Sequence, residues 1–334
     1  MSQTKRYYVG LDVLRGLSCI LIMLYHYTVR YNSNPLFSDM STHWLFRVPW
    51  GCAAVTTFFL LSGFLGGRHI FIPKGSITDY LTGRFMRLFP SFAISVLSTT
   101  LVTTLLFPSA ACNTIEVLLN LTMIPALLGA RYVDGAYWTM QVEWTFYIIT
   151  AFSMLFIDTN NKKRLILLWL IISILGNIIY AITYNPLINK LNILLISNHS
   201  QEFLTGVAIY LLISQREKRF STIIIVLAFF NQLLTQDCDH IIFFLISGIL
   251  IFLLTFYQSD SFFKGYCFRF ICWIGHISYP VYLLHQIIGF VVIYYLQRYG
   301  YTSTAYIIIP IMISIILGYT VQLINDKCVL KYTK

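Results

Sequence analysis

Ten mostly apolar stretches follow one another along this 334-residue chain, near 10–29, 48–67, 90–107, 138–157, 164–183, 200–214, 220–236, 240–257, 271–296 and 303–325. A helix of about 20 such residues crosses the roughly 30 Å hydrocarbon core of a bilayer. The stretches are continuously apolar rather than alternating with period two, which excludes a β-barrel. The chain is therefore read as an all-α, polytopic membrane protein of about ten transmembrane helices. A further stretch at 115–128 is short, holds Pro125 and is flanked by Glu116 and Arg131, so it is read as a re-entrant or interfacial helix. Little sequence remains between the stretches, and residues 1–334 are read as one membrane domain with no appended soluble module.

Composition agrees. Only 11% of the residues are charged and 57% are hydrophobic, against about 25% charged in an average soluble domain. That shortage excludes a soluble globular protein and a disordered chain. A net charge of +10 would suit nucleic acid, but the basic residues stand in short clusters between apolar runs and form no face for a duplex or single strand. With ten spans and the N-terminus inside, 17 lysines and arginines fall in cytoplasmic segments and 5 in outer loops, with Arg15 inside a span. The positive-inside rule then puts both termini in the cytoplasm. The first apolar run follows Lys5 and Arg6 as a signal peptide would, but it ends at Tyr25-His26-Tyr27 without a small-residue cleavage site. It is read as an uncleaved first helix.

Seven cysteines with no C-x-x-C spacing give no support for a metal site. Cys112 and Cys238 alone map to outer loops. A bridge between them is one reading, and two free thiols the other.

Charged groups within a span cost roughly 2.5–3.5 kcal/mol on insertion scales, so each asks for a reason. The first span holds Asp12, Arg15 and His26. Eleven residues at about 100° each return to within roughly 20° of the starting direction, so Arg15 and His26 share a helix face. The plainer alternative has both ends snorkelling to headgroups. In the fourth span Thr139, Glu143 and Tyr147 form an i, i+4, i+8 polar stripe between tryptophans. In the ninth, Ser278, Tyr282 and His285 share a face. Ser62 and Gly63 near the end of the second span permit close helix packing. Beyond them Arg68, Arg84 and Arg87 precede Pro90, which is expected to start the next helix. These arginines read either as ordinary positive-inside charge or as a phosphate-binding rim.

Taken in order, these pieces resemble the acyltransferase-3 family of integral membrane acyltransferases. The matching segments are Leu14-Arg15-Gly16 with His26; Phe58-Phe59-Leu60-Leu61-Ser62-Gly63-Phe64; Arg84-x-x-Arg87-Leu88-x-Pro90; Trp138-Thr139-x-x-Val142-Glu143-x-x-Phe146-Tyr147; and Ile277-Ser278-Tyr279-x-x-Tyr282-Leu283-x-His285. The resemblance implies about ten helices and transfer of an acyl group, usually acetyl, from cytoplasmic acetyl-CoA to a hydroxyl. The acceptor it implies is a glycan: a cell-surface polysaccharide such as O-antigen or capsule, or its lipid-linked precursor, at a bacterial inner membrane. It makes Arg15 and His26 the functional pair. Where relatives often carry a second carboxylate after the glutamate, this chain has Trp144, which speaks against paired carboxylates.

Acyl transfer to an alcohol needs a base and an oxyanion stabiliser. His26 is the expected base or acyl-accepting nucleophile, and Glu143 orients it or binds acceptor hydroxyls. Tyr282 and His285 are the expected oxyanion donors. Arg15, Arg84, Arg87 and Ser62 are the expected acyl-CoA contacts, and no metal is expected. The competing reading is a transporter with the same groups as a proton or substrate relay, a class for which inverted repeats would speak; none is detected between the halves.

Overall fold

The computed structural model describes residues 8–34, 36–37, 47–73, 75–257, 265–301 and 303–332. Lys5, Arg6, Lys74, Lys264 and Lys334, which entered the charge balance, lie outside them. The described residues contain helices and turns and no strand. The helices are α1 (Val9–Tyr25), α2 (Gly51–Phe71), α3 (Ile77–Leu106), α4 (Thr114–Asn120), α5 (Trp138–Ser153), α6 (Thr159–Thr183), α7 (Pro186–Leu194), α8 (Ser200–Ile213), α9 (Lys218–Thr235), α10 (Cys238–Tyr257), α11 (Tyr266–Leu284), α12 (Gln286–Arg298) and α13 (Ile308–Tyr332). A single π-helical turn, His26–Arg30, continues α1.

Eight helices among the described residues are long and apolar enough to cross a bilayer. The expected fourth and sixth spans are shorter: α5 has 16 residues and α8 has 14. At 1.5 Å per residue α8 is about 21 Å long, less than a hydrocarbon core. It is buried almost throughout, so protein rather than lipid surrounds it. The ninth apolar stretch is two helices broken at His285. Pro90 does not begin a helix, because α3 starts at Ile77 and carries Pro90 in its interior. Arg84 and Arg87 therefore stand on a 30-residue helix about 45 Å long, well beyond what the membrane core requires. The stretch at 115–128, read as one re-entrant or interfacial helix, is two short pieces, α4 and a 3-10 turn at Pro125–Leu128. Cys112 and Cys238 are free thiols.

Two compact units are each assembled from three separate segments. The first comprises residues 1–14, 55–82 and 142–269. Its core joins Leu11 and Leu14 to Leu60, Leu61 and Phe64 of α2 and to Ile209, Phe244 and Ile251. The packing expected at Ser62-Gly63 is present: a Cβ on Gly63 would stand 2.0 Å from the Phe203 carbonyl oxygen of α8. Phe59, Phe203 and Phe146 stack beside that crossing. Buried amides are satisfied across helices, Asn231 of α9 bonding Gln201, Asn177 and the Ser197 carbonyl. Leucines and isoleucines on the far side of α6, such as Leu168, Ile172, Leu175 and Ile182, are exposed, as a lipid-facing stripe should be.

The second unit comprises residues 15–54, 83–141 and 270–334. Its aromatic interior holds Tyr31, Phe37, Phe107 and Phe290. Leu284, Ile288 and Val321 extend it through α12 and α13. Hydroxyl and amide side chains tie helices to carbonyls: Tyr279 donates to Leu88, Tyr295 to Leu106 and Asn325 to Arg87. In this unit α1 and α11 lie side by side.

Candidate active site

The contacts along α1 and α11 pair Gly16 with Ile271, Cys19 with Ser278 and His26 with His285. Both numbers rise together, so the two helices run in the same sense. Gly16 permits the approach, since a Cβ there would stand 2.1 Å from the Ile271 carbonyl oxygen. Its position beside Arg15 in the first-span motif is thus a packing requirement of the α1–α11 contact.

At the far end of this seam two buried imidazoles meet. His26 Nδ1 lies 2.6 Å from His285 Nε2, and the rings stack at 4.8 Å between centroids. His285 Nδ1 in turn lies 2.6 Å from the Tyr282 carbonyl oxygen. A carbonyl only accepts, so His285 carries its hydrogen on Nδ1. With both rings neutral, His285 Nε2 is then the acceptor and His26 Nδ1 the donor. That leaves the His26 Nε2 lone pair unprotonated, the form a general base requires. The chain of bonds performs for two histidines what a carboxylate does in a triad, holding one tautomer and one orientation.

The main chain is shaped around this pair. The π turn begins at His26, and the Tyr27 hydroxyl donates to the His285 carbonyl at 2.8 Å while meeting Ser314 at 2.9 Å. Pro280 interrupts the α11 ladder, and the helix breaks at His285. The segment 134–139 supports it from the side. The Thr139 hydroxyl donates to the Tyr282 hydroxyl at 3.1 Å, and Tyr282 donates to the Ala136 carbonyl at 3.3 Å. That segment is itself held by a tied loop: Arg131 grips both carboxylate oxygens of Glu116, and Asn120 bonds the backbone of Arg131 and Val133. Arg131 holds the Glu116 carboxyl down at about 2.

Of the residues singled out in the sequence, His26, Tyr282 and His285 come together. Arg15, Arg84 and Arg87 belong to the same unit, Arg87 exposed and the other two half-buried. Glu143 and Ser62 belong to the first unit, where the hydroxyls of Ser62, at 3.1 Å, and Tyr147 donate to one Glu143 oxygen. The i, i+4 stripe in α5 is thus partly a bonded pair.

A family model described as an acyltransferase domain matches residues 8–322. The chain belongs to the acyltransferase-3 family. Searches among curated proteins and among solved structures found no match. This membrane acyltransferase is therefore an enzyme that needs a bilayer, an acyl donor and an acceptor. Sequence reasoning missed three of its structural participants: Asp134, Tyr27 and Ser314. Asp134 precedes Gly135-Ala136-Tyr137 and has the look of an ordinary local cap. Its oxygen does cap Ala136 N–H at 2.8 Å, and nothing in that signature points to a second partner 153 residues away.

Proposed function

We propose that this acyltransferase moves an acyl group, acetyl in the first instance, from cytoplasmic acyl-CoA to a hydroxyl of a cell-surface polysaccharide or its lipid-linked precursor at a bacterial inner membrane. The observation that carries the chemistry is the directed bond chain from His26 through His285 to the Tyr282 carbonyl. His26 Nε2 takes the acceptor hydroxyl proton as the oxygen bonds the thioester carbonyl carbon. The carbon–sulfur bond then breaks, and the proton passes from His26 to the departing thiolate. While His26 is charged, its Nδ1–H stays on His285 Nε2, which spreads and steadies the charge. Arg15, Arg84 and Arg87 are suited to bidentate contacts with CoA phosphates. Glu143, already receiving the Ser62 and Tyr147 hydroxyls, is suited to receive sugar hydroxyls.

The reading is tested with purified protein in proteoliposomes, supplied with radiolabelled acetyl-CoA and a membrane extract containing glycan acceptors. Wild type should transfer label to glycan, and His26→Ala and His285→Ala should each lose transfer while retaining their melting behaviour. Full turnover in a folded His26→Ala variant would refute the base assignment. Label appearing only in phospholipid would refute the acceptor class.

A further inference from the structure

The break between α11 and α12 has a cause outside both helices. In an uninterrupted helix the Ile287 N–H would bond the Leu283 carbonyl. Here it donates to Asp134 Oδ2 at 2.9 Å. Two residues to either side the ladder is ordinary, His285 N–H donating to the Val281 carbonyl at 3.0 Å and Gly289 N–H to the His285 carbonyl at 2.9 Å. Between those bonds the Ile287 donor goes to Asp134, and the Tyr282 carbonyl accepts from the His285 imidazole. His285, at the start of α12, makes no capping bond with its own side chain, so the cap is supplied by Asp134 instead.

Asp134 is 1% exposed, and its two oxygens serve different ends: Oδ1 accepts from Ala136 and Oδ2 from Ile287. The first bond shapes the local turn. The second reaches across to the helix bearing His285. Beside it, Gly135 packs against the Gln286 side chain, whose Nε2 would stand 2.9 Å from a Cβ there. The charged and titratable groups bearing on the carboxylate include the Tyr27 and Tyr137 phenols.

We propose that Asp134 is a positioning residue for the acyl-transfer reaction: by capturing the Ile287 N–H it holds open the helix break that turns the His285 imidazole onto His26. This rests on the histidine-pair reading above and deepens it. Without the second oxygen, the Ile287 N–H is free to return to Leu283 and the chain to close toward continuous helix. The Tyr282 carbonyl is then again in competition for Gln286 N–H, and the tautomers of both histidines lose their anchor.

Asp134→Asn is the informative variant. Its amide oxygen can still cap Ala136, but an NH2 replaces the acceptor facing Ile287. The expected result is a fall in kcat of about 10- to 100-fold with KM for acetyl-CoA unchanged within about twofold. Histidine-selective 15N NMR of the detergent-solubilised full chain supplies a readout independent of turnover. Wild type should show two protonated Nδ1 and two unprotonated Nε2 signals for the pair, and Asp134→Asn should show exchange-averaged ones. His26→Ala and His285→Ala assign the signals. If Asp134→Asn keeps wild-type kcat and wild-type histidine signals, the positioning role is overturned while the histidine reading stands. If the histidine variants themselves retain turnover, it is that reading which fails. An Asp134→Asn variant that lost activity only by melting at the assay temperature, with wild-type histidine signals below its melt, would also overturn the proposal.

Discussion

Replacing Gly16 by alanine adds one carbon where α1 meets α11. In the native packing that carbon would stand 2.1 Å from the Ile271 carbonyl oxygen and 2.9 Å from Ile271 Cγ2. A comfortable carbon–oxygen contact is about 3.2 Å, and dense interiors leave little slack around it. The obstacle is helix backbone, which cannot rotate aside, so the helices must separate locally by about 1 Å, at a cost of about 1–3 kcal/mol. His26 lies ten residues, or about 15 Å, farther along α1. A rigid separation of that size would stretch the 2.6 Å His26–His285 contact beyond hydrogen-bonding range, and a 1 Å misplacement of reacting groups costs about a hundredfold in rate. The prediction is a lower Tm and a kcat down by up to about 100-fold, measured by acetyl transfer and thermal melt on the purified protein. Gly248→Ala on α10 is the control. A Cβ there meets nothing within 4 Å, so it should be neutral or stabilising by about 0.5–1 kcal/mol. Wild-type turnover and wild-type melting in Gly16→Ala would refute the argument that this glycine sets the spacing of the pair.

Further outcomes are expected. Arg15→Lys should raise KM for acetyl-CoA several-fold, since lysine keeps the charge and loses the fork, whereas His26→Ala should bind acetyl-CoA normally by calorimetry and fail in kcat. Asn231→Leu should lower stability by about 1–2 kcal/mol, by stranding Gln201 and Asn177, without altering kcat in the folded fraction. Burial raises the Asp134 carboxyl from 3.8 to about 6, so the folded chain holds that proton more tightly than the unfolded chain. Its contribution to stability is fully present below about pH 4 and lost as pH rises through 6, on the order of 3 kcal/mol in all. The Tm of wild type relative to Asp134→Asn should fall across that window, and a pH-independent difference would show that the Asp134 carboxyl does not titrate there.

Much of the fold could be read from the sequence because lipid imposes a simple rule: apolar runs of sufficient length become helices. Less could be read where protein replaces lipid. The run at 200–214 has the same apolar character as the others, yet α8 is 14 residues long and buried among its neighbours, with Ser200, Gln201 and Glu202 hidden. Pro90 has the form of a helix start, and α3 accommodates it internally. His26 and His285 were each legible as titratable groups on polar helix faces. Their meeting was not, because period and spacing carry no information about a contact 259 residues distant. For the same reason the break at His285 could not be foreseen from 271–296 alone. Its cause sits on another segment, at Asp134.

The interleaving of the two units has a temporal consequence. Residues 15–54 emerge early from the ribosome, yet the unit they belong to is completed only by residues 270–334. At about 5–20 residues per second, the 259 residues between His26 and His285 take roughly 13–50 s to synthesise. For that interval a polar imidazole sits in an apolar helix without its eventual partner, while residues 55–82 and 142–269 of the first unit are made. No chain synthesised short of His285 holds the histidine pair.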